Sequence, residues 1–160
     1  MEVTVYGTKN KKTIRQLTEA AEFFALCLMH TRTVKGIELD IEIVSNLEVQ
    51  GYCVNEDDTK RSRFFTIQLR KDNVDDMIQT LAHEMIHVKQ YVKNEHLKRF
   101  ATTKGGLKIE SVWLGKVWRP TKGEIHYYDS PWEIEAYGRE VGLMHRWVKH
   151  TEKPLKNSKL

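Results

Sequence analysis

Apolar residues recur along this chain with two periods, and the changes from one period to the other lay out an order of elements. "GIELDIEIV" (36–44) alternates apolar and acidic positions, as a strand with one buried face does. "VQGYCVN" (49–55) and "RFFTIQL" (63–69) are equally β-rich, and the charged turn "EDDTKRS" (56–62) between them predicts a hairpin. "EVTVYG" (2–7) predicts a short strand ahead of these. Elsewhere the spacing is helical. "KKTIRQLTEAAEFFALCLMHTR" (11–32) predicts one long helix, and "NVDDMIQTLAHEMIHVKQYVK" (73–93) a second, with Asn73 as N-cap and Asp75 and Asp76 in its first turn. "SPWEIEAYGREVGLMHRWVKH" (130–150) predicts a third, with Ser130 as N-cap and Pro131 at the first helical position. The basic, glycine-containing stretch "NEHLKRFATTKGGLK" (94–108) predicts a loop. "SVWLGKVWR" (111–119) predicts a strand or hairpin arm, "PTKGE" a turn, and the tail 151–160 a flexible end.

Composition narrows the class without naming a function. At 160 residues, with 40% hydrophobic and 30% charged, the chain suits one soluble globular domain, here taken as 1–150. The net charge of +4 permits contact with nucleic acid or an anionic surface and requires neither. No signal pattern opens the chain and no apolar run approaches membrane-spanning length. Cys27 and Cys53 are too few for a disulfide framework or a cysteine-only zinc site and read as buried free thiols. The expectation is a cytoplasmic protein with no membrane partner.

One stretch of the second long helix carries chemistry. "HEMIHVKQ" (83–90) contains His-Glu-x-x-His, which a shuffled chain of this composition would contain only roughly 0.03 times. At about 100° per residue, His83 and His87 lie about 40° apart, one turn above the other. Val74, Met77, Ile78, Leu81, Met85, Val88 and Val92 form a stripe on nearly the opposite face, so the core would hold one side while both imidazoles point together. Zn2+ accepts two such nitrogens, and Glu84, about 100° round from His83, stands where a base beside a metal-activated water belongs.

Two histidines need a third ligand. In 130–150 the apolar residues form one broad arc, and Glu133 falls in its middle with Glu140 close beside. A carboxylate aimed into an apolar face is costly unless a charge meets it there, and a zinc ion on His83 and His87 would be that charge. Glu133 is therefore the expected third ligand. Two alternatives stay open: Glu133 also completes a capping box with Ser130, and Glu135 is a second candidate, although Arg139 at i+4 suits it to a surface ion pair. Glu140 reads either as acceptor for a ligand histidine's other N–H or as half of a buried salt bridge.

With "HEMIHVKQ" and "SPWEIEAY" together, the chain resembles small gluzincin-type zinc metallopeptidases, most of all SprT-like and minimal phage or prokaryotic minigluzincin domains. The likeness covers roughly residues 63 to 145. It implies an α+β fold: an N-terminal helix, a small twisted mixed sheet, the HExxH helix beneath it and a C-terminal glutamate helix. It implies Zn2+ held by His83, His87 and Glu133, Glu84 as general base, and an edge strand within 63–69 aligning an extended peptide or protein substrate. The chain departs from the wider group at Tyr137, where many members carry Asp or Asn four residues after the ligand Glu. It also lacks the third histidine of a typical SprT domain.

Other residues complete the expectation. His126, Tyr127 or Tyr128 would donate to a developing oxyanion, while His30, His96, His145 and His150 have no partner at ligand spacing. Trp113, Trp118, Trp132 and Trp147 recur with apolar neighbours and read as core. The basic segment 93–108 is either a solvated loop or a weak phosphate contact. The resulting expectation is a zinc-dependent metalloprotease. The alternatives are a DNA-associated SprT-like protease acting on nucleic-acid-bound protein and a metal-stabilised binding module without turnover.

Overall fold

A computed structural model describes residues 1–57, 60–120 and 127–152 and has an α+β architecture. The elements run β1 (Glu2–Tyr6), α1 (Lys11–Leu28), α2 (Thr31–Val34), β2 (Glu38–Val44), β3 (Gly51–Asn55), β4 (Phe64–Arg70), α3 (Val74–Val92), β5 (His96–Thr103), β6 (Gly106–Trp113), β7 (Lys116–Val117) and α4 (Pro131–Thr151). A 3-10 turn, Tyr127–Asp129, leads into α4.

Alternation in β2 and β4 builds the core. Their parallel register sets Leu39 opposite Phe65, Ile41 opposite Ile67 and Ile43 opposite Leu69, and all six side chains are buried. The intervening residues turn outward, where Gln68 donates a 2.9 Å hydrogen bond to Glu42 across the same strand pair. β1 extends the parallel run beyond β2, and β3 adds antiparallel to the other side of β4, giving the order β1-β2-β4-β3. α1 and α3 lie against this sheet with Leu17, Phe24, Ile78, Leu81 and Met85 fully enclosed. Each such side chain contributes roughly 1.5–3 kcal/mol of hydrophobic stabilisation.

Local signals set the ends of these helices. Asn10 caps α1 by accepting from the Lys12 and Thr13 amides, and Asn73 caps α3 by accepting from the Asp76 amide at 3.0 Å. The β1–α1 turn passes through Gly7 at φ +83, a conformation suited to glycine, and a Cβ there would strike the Ile43 carbonyl.

Four expectations change. The helix expected over 11–32 stops at Leu28, because His30 starts a new turn by accepting the Arg32 amide on Nδ1. The segment 94–108 is no loop: β5 and β6 pair antiparallel across a tight turn in which Gly106 has φ +110. The hairpin shows neither strand period because most of its residues are exposed on both faces. β4 is interior to the sheet; the outer strand beside α3 is β3. Finally, Cys53 is buried but Cys27 only half so, and both are free thiols.

Trp147 packs in the main core against Phe23 and Phe24. Trp113, Trp118 and Trp132 gather instead around His96 at the root of the hairpin. The turn at 120–124 and the tail fall largely outside the described residues. No helix among those residues is long and apolar enough to cross a membrane.

Candidate metal centre

α3 runs between the sheet, α1 and α4, so from Leu81 to Gln90 every residue is buried, its polar ones included. That enclosure is what makes "HEMIHVKQ" chemically unusual: His83, Glu84, His87, Lys89 and Gln90 all require partners. α4 supplies most of them. Glu133, in its first turn, lies with Oε2 3.3 Å from His83 Nε2 and Oε1 3.4 Å from His87 Nε2. One ligand atom from each of the three residues falls within 4.8 Å of the others.

The outer nitrogens decide which way the imidazoles face. His83 Nδ1 is 2.8 Å from Glu140 Oε2, and a carboxylate oxygen only accepts, so Nδ1 carries the hydrogen. His87 Nδ1 is 2.8 Å from Gln90 Oε1, while Gln90 Nε2 donates both its hydrogens, to the Trp132 carbonyl and to Glu135 Oε2, each at 2.9 Å. The orientation of that amide leaves its oxygen to accept from His87. In the neutral form both rings therefore present an Nε2 lone pair toward Glu133, as metal-ligating histidines do.

Electrostatics agree with the geometry. Burial alone would push the Glu133 carboxyl up, but the His83 and His87 imidazoles close against it, with a smaller effect from Tyr127, hold it down at about 2. Burial disfavours charge on either imidazole, yet Glu133 and Glu84 beside them raise both above the ordinary histidine value. Glu84 is itself pushed up, by burial first, and opposed by the two histidines. Among the described residues Glu133 Oε2 is buried without a hydrogen-bond partner, leaving a lone pair that a metal would satisfy. Two imidazole nitrogens and one carboxylate oxygen, open on the remaining side, match the donor set of a catalytic zinc site.

Each candidate from the sequence can now be located. His83, His87 and Glu133 come together, with Glu84 beside them. Ser130 is the N-cap residue of α4 but makes no side-chain capping bond, so Glu133 is free to face the histidines. Glu135 belongs elsewhere: its Oε1 accepts from Lys89 Nζ at 2.5 Å and Arg139 Nε at 3.0 Å, while Lys89 also meets Glu95 at 2.5 Å. Its ion pair with Arg139 is present, but half-buried and tied to a lysine inside the protein. Glu140 takes the role of acceptor for His83. It does so seven residues after Glu133, and Tyr137, four after, sets its ring edge-on to that of His83 with the centroids 4.5 Å apart.

Tyr127 and Tyr128 sit on the exposed rim with Tyr137, and His126 lies outside the described residues. His30 caps α2, and His150 stacks on Phe23. The sequence reading missed Gln90, although it stands three residues after His87 on the same helix. It also missed His96, whose ring stacks 4.1 Å from that of Trp132.

A cleft of about 950 Å3 opens over the centre, lined among others by Gly51, Thr80, His83, Glu84, Tyr127 and Tyr137. Gly51 permits the approach of β3: a Cβ there would meet Thr80 and stand 3.0 Å from Glu84 Oε1. Comparison of the chain with protein-family models, curated proteins and solved structures gave no match.

Proposed function

We propose that this protein is a cytoplasmic, zinc-dependent metallopeptidase of gluzincin type that hydrolyses peptide bonds in an extended substrate. The observation that carries the reading is the convergence of two Nε2 lone pairs and an unsatisfied Glu133 oxygen beside a buried carboxylate, Glu84, that no hydrogen bond occupies among the described residues. His83, His87 and Glu133 would hold the metal. Bound there, zinc would polarise a substrate carbonyl and bring the pKa of its water toward about 7.

The chain's own residues do the rest. Glu84, its basicity raised by burial, takes the proton from the attacking water and passes it to the departing amine. Glu140 and Gln90 keep the imidazoles turned inward through both transfers. The Tyr127 hydroxyl, on the rim, is the donor best set to meet the developing oxyanion. The outer edge of β3, beside Glu84, offers main-chain groups to an extended peptide.

Elemental analysis of purified protein tests the centre. About one zinc per chain is expected, lost in His83→Ala and Glu133→Ala and kept in Glu135→Ala. Glu84→Gln should retain zinc and lose at least about 10²-fold of peptidase activity. Zinc in the wild type with no peptidase activity, and a binding activity that Glu84→Gln leaves unchanged, would leave a metal-stabilised binding module as the surviving reading.

One observation favours the nucleic-acid variant of this function. Residues 96–120 carry six Lys and Arg against one carboxylate, so the positive excess of the whole chain resides on the hairpin and its base. Salt-dependent DNA affinity that falls when Lys104 and Lys108 are neutralised would identify substrates presented on nucleic acid.

A further inference from the structure

The outer strand β3 separates two cavities of opposite charge. The cleft at its Gly51 end carries, apart from the metal centre, Glu48, Asp72 and Asp76 against Arg70. A second cavity of about 600 Å3 opens toward its Asn55 end, between the strand and the hairpin, and its charged lining among the described residues is Lys60, Lys98 and Arg99, the last paired with Glu110. Tyr52 lines both, so the two form one path along the strand. The acidic end is more than a patch of surface carboxylates. The same cleft holds Glu84, 6% exposed and without a hydrogen bond among the described residues.

Among the described residues β3 pairs only with β4, so its other edge can accept a further strand. An added strand that runs antiparallel to β3 starts at the Asn55 end and finishes at the Gly51 end. Its first residues would meet Lys60 and Lys98, and its last would meet Glu48, Asp72 and Asp76. Five residues of extended strand span about 17 Å, which sets the distance between the two charged ends.

We infer that the substrate is an extended segment with acidic side chains toward its N-terminal end and basic side chains toward its C-terminal end, about five residues apart, laid antiparallel on β3. This rests on the proposed function in taking the cleft over the metal centre as the substrate cleft. The charges do not create the main-chain pairing; on a strand laid antiparallel they select sequence polarity and register, because in that lay the reversed peptide would set like charges against each other at both ends.

Three fluorescein-labelled nonapeptides test this on the full-length Glu84→Gln protein: two acidic, five neutral and two basic residues in that order, the reversed sequence, and an uncharged control. Fluorescence anisotropy at low salt should give the first peptide at least tenfold tighter binding than either other, with the difference shrinking as salt rises. The exposed charge reversals Lys60→Glu with Lys98→Glu should remove or invert the preference, and circular dichroism checks that this double variant folds. Equal affinities, preference for the reversed peptide, or no binding of any peptide overturns the inference. Cleavage by the zinc-loaded wild type is scored separately. Selective binding without cleavage retains the inference and defeats the peptidase reading, and cleavage with no charge preference does the reverse.

Discussion

His96 supplies a quantitative test of the fold around the candidate metal centre. Its ring is 4% exposed, lies between Trp132 at 4.1 Å and Tyr91 at 5.5 Å, and has no hydrogen-bond partner for either nitrogen among the described residues. Burial, followed by the nearby His87 and Lys98, pushes its pKa down to about 4. In the unfolded chain it titrates near the ordinary value of about 6.5. Between those values the unfolded state binds a proton that the folded state does not, so stability must fall as pH drops from neutrality. The loss from this residue reaches about 2 kcal/mol by pH 5 relative to pH 7.5.

Other groups titrate over the same window, and His83 and His87, raised in the folded protein, work in the opposite direction. A comparison with His96→Phe, which keeps the aromatic stack, isolates the term. Urea unfolding of both proteins in chelator, at pH 7.5, 6 and 5, should show the variant gaining about 2 kcal/mol on the wild type across the series. Parallel stability curves for the two proteins would refute a neutral, unsolvated His96.

Two further outcomes follow from the partners of α3. Gln90→Leu strands His87 Nδ1, the Trp132 carbonyl and one Glu135 oxygen. Zinc affinity measured by competition with a chromogenic chelator should fall about 10- to 100-fold, with a stability loss of about 1–3 kcal/mol. Lys89→Met removes the cation between Glu95 and Glu135, whose side chains are 19% and 17% exposed. Chemical unfolding should show a loss of about 3 kcal/mol at pH 7 that shrinks in acid as Glu135, which Lys89 holds below its ordinary value against the effect of burial, takes up a proton; a pH-independent loss would point to packing instead.

Much of the centre was legible because it rests on short-range regularities. The spacing of His83 and His87 places them on one helix face wherever that helix sits, and the apolar arc of α4 marks Glu133 and Glu140 as carboxylates facing inward. The alternation of β2 likewise names its buried residues before any partner strand is known. The choice between Glu133 and Glu135 was of a different kind. Both lie on α4 near its start, and only the docking of that helix on α3 turns Glu133 to the histidines and Glu135 to Lys89 and Gln90.

The hairpin 96–113 left no sequence pattern because its exposed faces impose no alternation. Its strands exist through pairing with each other, which composition does not record. Strand order is equally invisible along the chain: β4 looks like β3 in sequence, and lies inside the sheet only because β2 pairs on its other edge. What the sequence determined by itself is the set of helix faces and strand faces, since these follow from backbone geometry repeated residue by residue. Which faces meet, which strand is outermost and which carboxylate reaches the histidines are contacts between distant segments, and only the tertiary structure decided them.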